Sequence, residues 1–279
     1  AHILRSNNVN CTAFLGGISK NYQTNLLLSD GTGTTEVVVV EADEFDRSFL
    51  TLFPDIALIT SLDADHLDIY GNKEAMVASY SQFAMQVKKN GKLICKWGLK
   101  LHGDFSNATT YSIDQPSTYK AVNVRVEKSN YTFDLEAGGT LFNSFLLTWP
   151  GRHNVENATG AIAACHSFGI PMEGIRRALE TFSGVVRRFD YQLRTPQITF
   201  IDDYAHHPEE LKATILSVRE LYPGRKILGI FQPHLYSRTR DFADQFGESL
   251  SNLDELLLLD IYPARELPVP GVTSDLIAN

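Results

Sequence analysis

The sequence predicts an α/β fold: a mostly parallel sheet with helices plus a small antiparallel sheet, followed by a second α/β unit. Three observations carry this. Apolar runs of strand length at residues 12–15, 37–40, 56–62 and 92–96 alternate with helical stretches, the texture of a parallel sheet covered by helices. Between residues 109 and 147 the texture changes to short alternating runs separated by turn residues, which reads as an antiparallel meander. After Gly184 strands and helices alternate again.

The elements follow in order. The chain opens in mid-helix on Ala1-His2-Ile3-Leu4, with no initiating Met and no signal-peptide pattern, so a longer parent protein is expected. Residues 37–40 are four valines, β-branched and apolar on both faces as a buried strand requires. Residues 56–62 form a second such run. The helix expected over 73–88 sets Met76, Tyr80, Phe83, Ala84 and Val87 on one stripe. In the meander, 119–126, 131–136 and 141–148 alternate, with turn signals at Ser129-Asn130 and Gly138-Gly139. Pro150-Gly151 closes it, and an Ala-rich helix over 154–168 follows. The second unit reads as strand 198–201, helix 208–221, strand 226–231, helix 240–250 and strand 256–259. Two cores are expected, residues 1–184 and 185–279, with Arg187-Arg188 as the linker. The last residues, Leu276-Ile277-Ala278-Asn279, fall within another helix.

Composition narrows the class. The 43% hydrophobic and 21% charged content is that of a globular protein. A net charge of −8 argues against a general nucleic-acid binder, which needs a basic face, and leaves room for phosphate ligands held by a few arginines. Cys11, Cys95 and Cys165 lie far apart in apolar stretches and read as buried free thiols in a reducing cytoplasm. No run approaches the ~20 apolar residues of a membrane span, so no membrane insertion is expected.

The chemistry gathers where strands end. The valine run finishes in Glu41-Ala42-Asp43-Glu44, and the run 56–62 finishes in Asp63-Ala64-Asp65-His66. Open α/β sheets bind ligands beyond the carboxyl ends of their strands, and this donor set suits Mg²⁺ held with a phosphate substrate; the plain alternative is a solvated acidic loop. In Gly151-Arg152-His153-Asn154-Val155-Glu156-Asn157 the two asparagines share a helix face. They either read an adenine edge, or Asn154 merely caps the helix. Arg187-Arg188-Phe189-Asp190 is either a hinge that reaches a phosphate or a solvated basic pair. Asp202-Asp203-Tyr204-Ala205-His206-His207-Pro208 runs from strand to helix; adjacent histidines there rarely converge on one zinc. In Gln232-Pro233-His234-Leu235-Tyr236-Ser237-Arg238-Thr239-Arg240-Asp241 the arginines suit an anionic substrate. The plain alternative for Arg238 is a surface arginine paired with Asp241.

In this order the motifs resemble those of the Mur ligases of bacterial peptidoglycan synthesis. The pattern Glu-Ala-Asp-Glu-x-Asp-x-Ser-Phe-Leu stands at 41–50, Asp-His-x-Asp at 65–68 and Gly-Arg-His-Asn-x-x-Asn-Ala at 151–158. Arg-Arg-Phe-Asp stands at 187–190, Asp-Asp-Tyr-x-His-His-Pro at 202–208 and Gln-Pro-His-x-x-x-Arg-Thr-Arg-Asp at 232–241. Tyr262-Pro263-Ala264-Arg265-Glu266 is similar to a seventh. The family's phosphate loop, Gly-Thr-His-Gly-Lys-Thr, is not in this sequence. Where the family often has arginine after His234, this chain has Leu235, and residues 80–86 hold no lysine, so the carbamylated lysine of several relatives is not expected.

The resemblance implies residues 1–184 as the central ATPase domain without its phosphate loop, and 185–279 as a shortened Rossmann-like C-terminal domain. It implies an ATP-dependent ligase that joins L-alanine to UDP-N-acetylmuramate through an acyl phosphate, with ATP and Mg²⁺, in the cytoplasm, serving cell-wall formation, cell shape and division. This stretch alone is expected to be inactive. The implied roles are Glu41 and His66 on Mg²⁺, Asn154 or Asn157 on adenine, Arg188 and Asp203 on phosphate or ribose, and His206 and Arg238 at the amino acid and reacting centre. The other readings are a ligase that recycles a tripeptide onto the same sugar nucleotide, a nucleotide-binding module without catalysis, and a nicotinamide dehydrogenase. For the last, no Gly-x-Gly-x-x-Gly follows any strand.

Overall fold

Residues 1–31, 36–63 and 67–278 are described by a computed structural model, with one unit built from residues 1–149 and 153–184 and another from 150–152 and 185 onward.

The first unit begins with helix α1 (His2–Ser6) and strands β1 (Cys11–Ser19), β2 (Thr24–Leu27) and β3 (Val37–Val40). These strands form a three-stranded sheet in the order β2-β1-β3, antiparallel between β1 and β2 and parallel between β1 and β3, with Cys11 opposite Val37. After a 3₁₀ turn (Ser48–Thr51) come β4 (Ile56–Ile59), α2 (Leu67–Tyr70), α3 (Lys73–Met85), β5 (Lys92–Lys96) and β6 (Thr109–Ile113). The meander is β7 (Tyr119–Glu127), β8 (Asn130–Ala137) and β9 (Thr140–Leu147). It continues the parallel strands in one six-stranded sheet, β4-β5-β6-β7-β8-β9, parallel as far as β7 and antiparallel beyond.

The apolar stripe of α3 packs on this sheet: Val77, Phe83 and Ala84 lie against Phe49, Ala57, Ile59 and Cys95. Asn72 caps α3 by accepting the Ala75 N–H at 2.8 Å. Helices α4 (Arg152–Phe168) and α5 (Met172–Glu180) complete the unit. A Cβ on Gly160 of α4 would stand 3.0 Å from the ring of buried Tyr111 on β6. The glycine therefore lets helix and strand approach, at a helix-propensity cost of ~1 kcal/mol.

The second unit starts with a hairpin, β10 (Asp190–Arg194) antiparallel to β11 (Thr199–Asp202). Then follow α6 (Pro208–Leu221), β12 (Leu228–Phe231), α7 (Tyr236–Leu250), β13 (Glu255–Leu258), parallel to β12, and α8 (Asp275–Ala278). Ile215, Phe231, Phe246, Leu250 and Ile277 make its core. Leu228, Ile230 and Leu257 face away and are exposed. The stretch expected as a linker is a bonded turn of this unit. Arg187 and Phe189 have φ of 59° and 45°, and the Tyr204 N–H donates to the Arg187 carbonyl at 2.7 Å.

Candidate functional site

β3 delivers Glu41 at its carboxyl end, where the Glu41 N–H prolongs the ladder to the Phe14 carbonyl at 3.0 Å. The carboxylate turns onto β1, and its Oε2 accepts the Gly16 N–H at 2.7 Å. A Cβ at position 16 would lie 2.2 Å from Oε1, so only glycine leaves the carboxylate in this place. The neighbouring acids shape the loop. Asp43 accepts the Phe45 N–H and Asp46 the Ser48 N–H, at 2.9 and 2.8 Å. The Ser48 hydroxyl and amide hold Asp46 below the usual carboxylate range. Tyr70 donates to the Glu44 carbonyl at 2.7 Å, and the Arg47 guanidinium stands 4.9 Å over the Tyr70 ring. Of this acidic run, Glu41 is the one that sits at the strand end.

His66 and Asp65 lie outside the described residues. Among the described residues no three His, Cys, Asp or Glu side chains gather as a metal site. Mg²⁺ is commonly held by one or two carboxylates together with substrate phosphates, so Glu41 fits as one ligand of such an ion.

On α4 the asparagines share a face, as their spacing predicts: Asn157 Nδ2 donates to Asn154 Oδ1 at 3.4 Å. The capping alternative for Asn154 falls away, because the helix starts at Arg152 and Asn154 lies inside the first turn. Asn154 is 2% exposed, while Asn157 faces solvent. The buried amide thus orients the exposed one.

In the second unit the chain after β11 folds back on itself. Asp203 Oδ2 accepts the Phe189 N–H and Oδ1 the Ala205 N–H, both at 2.8 Å. Burial pushes its carboxyl up, only partly offset by these two bonds and by Arg188. Asp203 therefore anchors the turn that carries Arg188. That guanidinium lies 3.4 Å from Glu210 Oε1 and 5.8 Å from the centre of the Tyr204 ring. Glu210 stands at the third position of α6, after Pro208 at the first. It reaches back to accept the N–H groups of His206 and His207 at 2.9 and 3.2 Å. Burial works to raise its pKa; the His206 amide and the His206 and Arg188 charges outweigh it and leave it lowered.

His206 Nδ1 lies 2.9 Å from the Tyr204 carbonyl. A carbonyl only accepts, so Nδ1 carries a ring proton; Nδ1 also lies 3.4 Å from Glu210 Oε2. The His206 and His234 rings are 6.4 Å apart. His234 leads into α7 through Leu235, whose φ of 72° and ψ of 136° are strained for a side chain of that size. Arg238 follows in the first turn of α7, and its charge acts on His234. Asp241 accepts from Arg240 Nε at 2.7 Å. The predicted residues His206 and Arg188 thus both meet Glu210, and Asp203 anchors the turn that carries Arg188. His234, Arg265 and Gly16 received no role from sequence reasoning. Only a motif carried the first two, and Gly16 lies just past the strand expected at residues 12–15.

Two family models cover the chain: Mur ligase middle domain at residues 1–165, and Mur ligase, glutamate ligase domain at 187–279. A UDP-N-acetylmuramate–L-alanine ligase of Flavobacterium johnsoniae is 52% identical over 98% of this chain and 59% of its own length. The protein of that name from Porphyromonas gingivalis W83 is 50% identical over 100% and 61%. The chain thus spans about three fifths of the curated relatives it matches. The crystal structure of the UDP-N-acetylmuramate–alanine ligase MurC of Thermotoga maritima matches with a TM-score of 0.79 at 29% identity, over 94% of this chain and 57% of that one. MurF of the same organism, solved with ADP, has the same fold, with a TM-score of 0.74 at 17% identity over 99% and 64%. Matched by family models over both of its units and by relatives near half identity along its length, the chain belongs to the Mur ligase family.

Proposed function

We propose that this chain is the nucleotide-handling and amino-acid-accepting part of a ligase that joins L-alanine to UDP-N-acetylmuramate at the expense of ATP, in the cytoplasm. The observation that carries this is the 52% identity to the Flavobacterium johnsoniae ligase along 98% of the chain, through both units. A carboxylate is a poor electrophile. Phosphorylation by ATP turns the lactoyl carboxylate into an acyl phosphate, the alanine amine attacks it, and the tetrahedral adduct expels phosphate to leave the amide.

The chain's own residues divide this work. Glu41 would hold one Mg²⁺, with His66 assigned to a second ion; bound there, the metal would supply positive charge to the transferring phosphoryl group. Asn157 reads the adenine edge and Asn154 fixes its amide. Arg188 contacts phosphate. Asp203 acts with it by anchoring its turn, which leaves any ribose contact to its remaining lone pairs. His206, when neutral and protonated on Nδ1, uses Nε2 to accept the proton that the alanine ammonium must lose before it attacks. Arg238 neutralises the anionic end of the amino acid or the developing charge at the reacting centre.

The test uses the chain completed with the flanking segments of the Flavobacterium johnsoniae relative, here the completed ligase. Phosphate release should require UDP-N-acetylmuramate and L-alanine together. Release that needs neither, or a preference for a tripeptide over L-alanine, would overturn the reading. The 279-residue chain alone should form no amide.

A further inference from the structure

Hairpin β10–β11 sets Asp190 opposite Asp202, so the residues before β10 and those after β11 meet at one end of it. Arg188 stands on the first stretch and His206 on the second. Glu210 belongs to neither. It is the third residue of α6, and the start of that helix is held from two sides. Buried Ser249 of α7 donates to the Pro208 carbonyl at 3.0 Å, and the His207 ring packs on Phe242 at 5.0 Å. The Glu210 side chain therefore projects from a fixed base.

A capping box needs one oxygen of such a side chain. Oε2 serves the box by accepting the His206 and His207 N–H groups, and His206 Nδ1 lies 3.4 Å from the same atom. That leaves Oε1, which accepts from Arg188 Nη1 at 3.4 Å. The neighbouring acid, Asp203, spends both oxygens on the Phe189 and Ala205 N–H groups. Glu210 is thus the carboxylate that meets both the guanidinium read as a phosphate contact and the imidazole read as a base. When the alanine ammonium loses its proton to His206 Nε2, an N–H bond breaks, the electron pair stays on the amine, and the ring becomes an imidazolium. Its Nδ1–H then faces the Tyr204 carbonyl at 2.9 Å and Glu210 Oε2 at 3.4 Å. A carboxylate there stabilises the new charge as the orienting acid of a Ser-His-Asp triad does. Glutamine would preserve the box, because an amide oxygen also accepts, and would lose the negative charge.

We propose that Glu210 is a positioning residue for the ligation, one carboxylate that fixes the Arg188 guanidinium for phosphate and stabilises His206 as it takes the amine proton. This rests on the roles read above for Arg188 and His206, and it names the group through which they are joined.

Two measurements test it. The charged and titratable groups around the carboxylate are Arg188, His206 and Asp203. In the 279-residue chain, ¹³C NMR of the Glu210 carboxyl should show it titrating below the ordinary carboxylate range. Arg188→Gln should move that titration to higher pH. The backbone cap survives in this variant, so an unmoved titration would overturn the link to Arg188. In the completed ligase, Glu210→Gln should lower kcat about tenfold, a share of the roughly 10²–10⁴ that a general base contributes. KM for ATP should rise about threefold, and KM for L-alanine should stay within about twofold. Residues that act through one another are not additive. In a His206→Gln background the same substitution should therefore cost less than about threefold in kcat. In an Arg188→Gln background its effect on KM for ATP should vanish. An active parent in which Glu210→Gln costs the same factors in all three backgrounds would make Glu210 a cap alone; it would overturn the proposal and leave the ligase reading intact. A parent that forms no amide would overturn the ligase reading itself, with the NMR titration still deciding whether Glu210 joins the two side chains.

Discussion

Glu41 and Gly16 show what a single position decides. Motif matching pointed to Glu41, but the glycine on which its placement depends lies 25 residues earlier and on another strand. The Gly16 N–H orients Oε2 at 2.7 Å, and no side chain fits beneath the carboxylate. Gly16→Ala should therefore displace the far end of a flexible side chain at little cost to the fold. In the completed ligase we expect a melting temperature within about 2 °C of the parent, under ~1 kcal/mol. The kcat should fall about 10²–10³-fold, as when one aligned group is lost from a phosphoryl- or acyl-transfer site. Measuring kcat and the melt together separates this from simple unfolding. Glu210 gives a second test. Its folded-state pKa is lowered, so the stability it contributes is present above the ordinary carboxylate value of ~4.3 and is lost as pH falls through its folded-state pKa. Glu210→Gln should lower the melting temperature at pH 7, and the difference from the parent should shrink as the pH drops below that value. A penalty equal at both pH values would contradict the assigned contacts.

At the scale of elements, what was legible had one-dimensional causes. The four valines bound β3, and the apolar run Lys92–Lys96 bounds β5 as expected. Pro208 followed by Glu210 marks the start of α6. Among the elements that escaped are β2, β6, β10 and α2. Thr24-Asn25 and Thr109-Thr110 are too polar to announce strands, and β10 exists because Tyr191 pairs with Ile201 on β11. β1 runs through Gly16-Gly17 to Ser19, where a glycine pair reads as a stop. The meander was legible as three antiparallel strands attached to the first sheet; that it extends that sheet edge to edge depends on the β6–β7 pairing. The site divides in the same way. Residue types at strand ends were readable; which of their atoms the fold already uses, as in Asp203, was not. At this scale the close approach of α4 to β6 makes a prediction. Gly160→Val should push against a fully buried Tyr111 ring and destabilise the first unit by about 1–3 kcal/mol. A variant as stable as the parent would mean that the helix has room to retreat.

The whole chain carries two cores, one built on Phe49, Ile59 and Phe83 and one on Ile215, Phe231 and Phe246. Each unit also presents an uncovered apolar sheet surface: Phe14, Val38 and Val40 in the first, and Leu228, Ile230 and Leu257 in the second. We expect heat unfolding of the 279-residue chain to show two transitions, because each core is closed within its own unit. Gly160→Val should move one and Glu210→Gln the other, followed by calorimetry. A single transition shifted by both variants would contradict separate cores. No helix among the described residues is long and apolar enough to cross a membrane.

The proposed ligation passes through an acyl phosphate of the lactoyl carboxylate, so one carboxylate oxygen should leave with the phosphate. With UDP-N-acetylmuramate carrying ¹⁸O in that carboxylate, ³¹P NMR of the phosphate released by the completed ligase should show one ¹⁸O for each amide formed. Unlabelled phosphate accompanying amide formation would contradict the account.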